Sequence, residues 1–242
     1  MSEIQKKYQI GVRKFGLINW IGTYNLYVKE VYRFFNVWIQ TLFSPLISSL
    51  LFLSVLSLAI GNERGDVLGF PFISFLAPGL IAMSIIQQSF AHSSSSLMIG
   101  KIQGIIIDTL LAPLSAAEVT LAITLAAVTR SIIITIISIW VFSFIIELHI
   151  YSVLYIFAFA FLGSFILGSL GIIAGLWSEK FDHMATVTNF IITPLSFLSG
   201  VFYSVDRLPN FFKSISLINP FFYMIDGFRY GFLGTSDGSI KF

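Results

Sequence analysis

The sequence predicts an all-α fold: a polytopic transmembrane helix bundle with an amphipathic amino-terminal interface helix, a re-entrant outer helix and no β-sheet. Three observations predict it. The chain is 56% hydrophobic and only 11% charged, where a soluble domain carries roughly 25% charged residues, and its mean hydropathy is +0.89. Five stretches, near 37–60, 72–90, within 119–146, 151–176 and 186–203, approach or exceed the ~20 mostly apolar residues that a helix needs to cross a bilayer. Their apolar character runs all round the helix rather than along one stripe. The net charge of +2 gives no footprint for nucleic acid, and with no cysteine there are no disulfides, thiolate metal sites or cysteine nucleophiles.

Orientation follows from the basic residues. Lys6, Lys7, Arg13, Lys14, Lys29 and Arg33 precede the first span, whereas the loop after it offers Arg64 alone, beside Glu63 and Asp66. The amino terminus is therefore expected in the cytosol, with 93–118 and 178–183 also inside and 147–150 outside. The polar leader is too long for a secretory signal peptide. Within it Trp20, Tyr24, Tyr27, Val31 and Phe35 recur at helical spacing. This describes a helix lying in the interface, aromatic side in lipid and Lys29 and Arg33 toward the headgroups. It serves either as a juxtamembrane anchor or as a surface that meets a cytosolic partner.

Pro45, Pro78 and Pro194 fall inside spans, which membrane helices tolerate because neighbours re-satisfy the freed carbonyls. In the loop between spans two and three, Ile99, Ile102, Ile106 and Leu110 share one face of a short helix, and Lys101, Gly104 and Asp108 another. Pro113 stops that helix. Such a segment either floats on the headgroups or docks into a soluble protein. Arg130 is the one basic residue well inside a span; it snorkels, serves a structural hydrogen bond, or lines a substrate path. Ser164, Gly168, Gly171 and Gly175 form a small-residue stripe, for packing within one bundle or between subunits.

After the fifth span, Asn219 and Pro220 read as a helix cap and first turn, and Gly234 as a stop. About a dozen residues are too few to cross, so 221–232 is predicted as a re-entrant or interfacial outer helix. Asp226 and Arg229, three apart on one face, are predicted to pair. They act as a structural staple or as a gate.

Several segments then resemble a known family. Residues 194–203 (P-L-S-F-L-S-G-V-F-Y), Leu208-Pro209 and 219–231 (N-P-F-F-Y-M-I-D-G-F-R-Y-G) look like the signature of permease subunits of type-2 ABC transporters. Residues 76–83 (L-A-P-G-L-I-A-M) are similar to that family's second span, and 110–115 (L-L-A-P-L-S) with Glu118 to the end of its coupling-helix loop. The resemblance covers nearly the whole chain in order, as a single transmembrane domain over 1–242. It implies the membrane half of an exporter: two permease subunits, usually identical, with two cytosolic ABC ATPase subunits that hold ATP and Mg²⁺.

Carried over by position, Lys101, Ile102, Ile106, Asp108, Leu110 and Pro113 belong to the ATPase-coupling segment. Asn219, Pro220, Tyr223, Asp226 and Arg229 belong to the outer re-entrant helix. The stripe residues and Arg130 match no family motif securely and stay with pathway or packing. No G-x-x-x-x-G-K-S/T occurs, so no residues here cradle nucleotide phosphates, and an ATPase is expected on a separate polypeptide. Family permeases have six spans; too few residues follow Gly234 for a sixth, so the expectation is either a truncated or frameshifted form, the favoured reading, or a natural end without the last helix. The aromatic, charge-poor spans suit a lipid, a lipid-linked saccharide or an amphiphilic drug as cargo. An ion-coupled carrier or channel would favour acidic or histidine residues at midplane, where Gln87 and Gln88 are the nearest polar groups. A membrane-embedded enzyme would need converging groups, yet His92, His149 and His183 fall at different span ends, and the serines at 93–96 belong to no activating motif.

Overall fold

The computed structural model describes residues 18–60 and 65–238. Lys6, Lys7, Arg13, Lys14, Glu63 and Arg64 lie outside the described residues. Helix α1 (Trp20–Phe35) leads into a π-helical turn at Ile39–Phe43 and helix α2 (Ser44–Ile60). Then come α3 (Phe72–Ile102), the short α4 (Ile106–Leu111), α5 (Ala116–Ser143) and α6 (Val153–Trp177). Helix α7 (Phe181–Val187), a second π turn (Thr188–Ile192) and α8 (Thr193–Phe197) run on without a break. A 3₁₀ turn (Val205–Arg207), α9 (Asn210–Ile218) and α10 (Pro220–Leu233) complete the order. Among the described residues the extended structure is one isolated bridge, Val67 with Phe70.

Among the described residues four stretches are long and apolar enough to cross a membrane: Ile39–Ala59, Phe72–Ile102, Ala116–Ser143 and Val153–Trp177. The fifth predicted span differs. Its helical run begins earlier, at Phe181, and ends at Phe197, well before Tyr203. At about 1.5 Å per residue it reaches about 25 Å, short of the ~30 Å hydrocarbon core. Gly200, at φ +69°, turns the chain there in a conformation that side-chain-bearing residues rarely adopt.

Both π turns stand just before a proline. A proline ring clashes with the carbonyl four residues back and leaves it without a donor; one widened turn relieves the clash. For Pro45 the stranded carbonyl is that of Thr41, inside the first π turn. Pro194 follows the second π turn in the same way.

Helix α3 forms the centre, with Phe75, Leu76, Ala77 and Ile81 fully buried. Helices α5, α6 and α10 pack around it, α1 lies along α5, and α2 stands at the edge. There Leu51, Val55 and Leu58 are exposed, as expected of a lipid-facing surface.

The α3–α6 contact explains the small-residue stripe. A Cβ at Gly171 would stand 2.5 Å from the Phe90 carbonyl oxygen, and one at Gly175 2.9 Å from that of Ser94. Gly168 faces Ser93, Thr124 and Ala127, and Ser164 is fully buried. Within this chain the stripe lies against α3 and α5, where absent side chains let backbones approach.

Candidate functional site

Two regions carry the polar chemistry, one at each end of the bundle. The first joins α1, the loop 103–115 and α5. Ser115 caps α5: its hydroxyl accepts from Glu118 N–H, and Glu118 Oε2 accepts from Ser115 N–H at 2.6 Å, two orphan donors satisfied reciprocally. The other oxygen of Glu118 accepts from the backbone N–H of Asn19, the residue that caps α1. Asn19 Nδ2 donates to the Pro113 carbonyl at 3.0 Å. One carboxylate thus ties the start of α1 to the end of the 103–115 loop. Beside this tie lies a cavity of about 760 Å³, lined by residues including Gly22, Lys29, Asp108, Thr109 and Pro113.

The predicted single helix over 99–110 is two pieces. Helix α3 ends at Ile102, and Gly104, at φ +74°, turns the chain into α4. Ile106 packs inward against a cluster of Leu97, Ile123 and Ile172. Ile102 faces out, as do Ile107, Leu110 (74% exposed) and Leu111 (80% exposed). Asp108 and Pro113 are exposed. Lys101 is turned away from this surface. Its ammonium donates to the carbonyls of Gly175 at 2.8 Å, Ser178 at 3.0 Å and Leu176, a cation on the open C-terminal end of α6.

Helix α1 spans the predicted residues, and Trp20 (66% exposed) and Tyr24 face outward as expected. Of its two basic residues Lys29 is exposed, but Arg33 is engaged. Arg33 Nε pairs with Glu30 at 2.9 Å, and Nη2 donates to the His92 carbonyl at 3.0 Å. Glu30, buried, also accepts from Ser96 Oγ at 2.7 Å. Tyr27 bonds Thr129 at 2.8 Å. The aromatic spacing hid this inward face of Thr23, Leu26, Glu30 and Phe34; the signal that marks it is the Glu30–Arg33 spacing of three.

Arg130 does not snorkel. It is 7% exposed, donates to Gln88 Oε1, and reaches the Thr41 carbonyl at 3.5 Å. That carbonyl is the one Pro45 deprives of its helical donor, so Arg130 supplies a structural hydrogen bond.

The outer region is built on α10. Asn219 Oδ1 accepts from Phe221 N–H at 3.0 Å, and Nδ2 donates to the Leu195 carbonyl (2.7 Å) and Ser199 Oγ (2.9 Å). Tyr223 donates to the Leu217 carbonyl at 2.7 Å. Gly234, at φ +67°, closes the helix with its N–H on the Tyr230 carbonyl, the left-handed stop that glycine provides.

Asp226 and Arg229 do not pair. Arg229, 0% exposed, donates to the Gly200 carbonyl at 2.7 Å and lies 3.8 Å over the Phe75 ring, a cation–π contact. A Cβ at Gly79 would stand 2.9 Å from that guanidinium and 3.0 Å from the Val201 carbonyl oxygen, so the proline–glycine step of the second span is the space Arg229 occupies. Asp226 instead accepts from the segment after α10: Ser236 Oγ at 2.6 Å, Asp237 N–H at 2.8 Å and Gly238 N–H at 3.1 Å. Asp237 was not singled out from the sequence, where Ser-Asp-Gly reads as an ordinary turn.

The three histidines stay apart: His92 stacks edge-on to Phe34, His149 to Phe70, and His183 lies against Trp177.

A family model described as ABC-2 type transporter matches residues 23–233. The chain is 34% identical over 218 residues to the inner membrane transport permease YadH of Escherichia coli strain K12, covering 90% of this chain and 85% of that protein. It is 24% identical over 230 residues to nodulation protein J of Rhizobium leguminosarum bv. trifolii, covering 90% and 83%. It is also 24% identical over 186 residues to nodulation protein J of Sinorhizobium fredii, covering 76% and 71%.

Proposed function

The chain belongs to the ABC-2 type transporter family, and from that premise we propose that it is the membrane subunit of an ATP-driven exporter. As a member of that family it is a multi-pass transmembrane transport subunit. ATP and Mg²⁺ would be held by a separate cytosolic ABC ATPase, and two copies of this chain would form the pathway under two-fold symmetry, the commonest closed arrangement. The similarity to a permease named for the inner membrane supports a bacterial inner-membrane location with the amino terminus inside.

The observation that carries the reading is the apolar surface of Ile107, Leu110 and Leu111, exposed on a short helix beside the cavity under α1. Large aliphatic side chains on the side this topology places in the cytosol suit a soluble partner that buries them. Lys101 supports this docking from behind, by fixing α3 to α6. The cargo proposed is a lipid, a lipid-linked saccharide or an amphiphilic drug, because the bundle's outer surface offers aromatic and aliphatic side chains.

The test is purification of the protein from its native membrane. A nucleotide-binding subunit is expected with it, and L110E/L111E should reduce its recovery tenfold or more while the membrane subunit still folds. Recovery of the wild-type chain without any ATPase, or full recovery with the double variant, would refute the reading.

A further inference from the structure

At the outer end three stretches of chain meet through polar contacts: the 204–205 turn, helix α10, and residues 235–238. Asp226, on α10, accepts from Ser236 Oγ and from the N–H groups of Asp237 and Gly238, at 2.6, 2.8 and 3.1 Å. Asp237 faces the other way. It accepts from Val205 N–H at 2.6 Å and from the Ser204 hydroxyl. Both carboxylates are buried. One fastens the trailing segment to the outer helix; the next fastens that segment to the turn.

The donors are backbone N–H groups and hydroxyls. Among the described residues no direct ion pair joins either carboxylate to a cation; Arg229, which sits on the Gly200 carbonyl and the Phe75 ring, attracts both only from beyond contact. Neutral donors are exchanged for water at small net cost, whereas a buried carboxylate that loses only some of its donors is penalised heavily. Such a contact is stable when fully made or fully wetted, and unstable between.

We propose that Asp226 and Asp237 form a two-carboxylate latch that holds α10 to the 204–205 turn at rest and releases it when the outer end opens in the transport cycle. The proposal rests on the reading of the chain as a transport subunit.

Because the chain has no cysteine, one introduced thiol is a unique reporter. Val205 is 0% exposed, and its backbone rather than its side chain touches Asp237, so V205C keeps the latch bonds. The complex with its ATPase, in lipid nanodiscs, is treated with a membrane-impermeant maleimide with and without Mg-ATP. The V205C thiol is expected to react slowly at rest and at least tenfold faster during turnover, and adding D237A should raise the resting rate to the turnover rate. Equal rates with and without ATP in a complex that hydrolyses ATP would overturn the latch. Absence of hydrolysis would instead refute the transport-subunit reading, and an unchanged resting rate in V205C/D237A would still overturn the latch. A purely structural contact is distinguished by bridging S204C/D237C with a short bis-thiosulfonate. Turnover should fall tenfold or more and return with reductant; unchanged turnover in the bridged protein would overturn the proposal.

Discussion

Replacing Gly171 by alanine places one methyl group where α3 and α6 are closest. The new carbon would lie 2.5 Å from the Phe90 carbonyl oxygen and 3.1 Å from Ser93 Cβ, about 0.9 Å inside the ~3.4 Å at which van der Waals contact becomes ordinary. The obstructing atom is backbone, so no rotamer change relieves it, and the helices must part. Overpacking of this kind costs about 1–3 kcal/mol. At about 2–4 °C per kcal/mol for a chain of this size, the unfolding midpoint should fall by roughly 2–12 °C. Gly163, on the same helix, is the internal control: its added Cβ would meet Met224 only at 3.9 Å, and G163A should move the midpoint little or upward. The assay is the thermal loss of monodisperse protein in mild detergent. Midpoints for G171A and G163A within a degree of each other would refute the close-packing argument.

Three further expectations follow from the same geometry. Since Arg130 serves the carbonyl that Pro45 strands, P45A should return a helical donor to Thr41, and R130L should then cost about 1 kcal/mol less than in the wild type; additive midpoint shifts would refute the link. N219A removes a cap and two donors and should destabilise by about 1–2 kcal/mol, read as a lower midpoint, with N219D intermediate because it keeps only the cap. Burial pushes the Asp237 carboxyl up, against the pull of Ser204, Val205 and Arg229. A carboxyl with a raised folded-state value binds its proton more tightly when folded, so stability should rise as pH falls through that value toward the ordinary ~3.9. The wild-type midpoint should therefore gain on that of D237N as pH falls from neutral toward that ordinary value, and a loss would reverse the sign of the argument.

The limits of two helices were legible, for physical reasons. Trp20–Phe35 and Pro220–Leu233 are bounded by local signals, an asparagine cap at each start and a left-handed glycine after the second. The small-residue stripe was equally readable, because glycine spacing alone decides which face can touch. What escaped were partners distant along the chain. Asp226 and Arg229 have the right spacing to pair, but spacing does not reveal that Gly79 leaves room for a guanidinium or that residues 236–238 return to the carboxylate. Lys101 likewise reads as surface charge until α6 ends beside it. The end of the fifth stretch was misplaced because apolar composition continues to Tyr203, while Gly200 has already turned the backbone.

Lys101 also bears on mechanics. Its ammonium clasps α6 at one extremity, and the glycines at 171 and 175 keep the same two helices touching nearby. Fastened at these points, α3 and α6 have little freedom to slide or splay and behave as one stiff plank. If α4 receives the ATPase as proposed, a thrust there would arrive at the far end as a tilt of the whole plank, with α2 at the rim free to accommodate it.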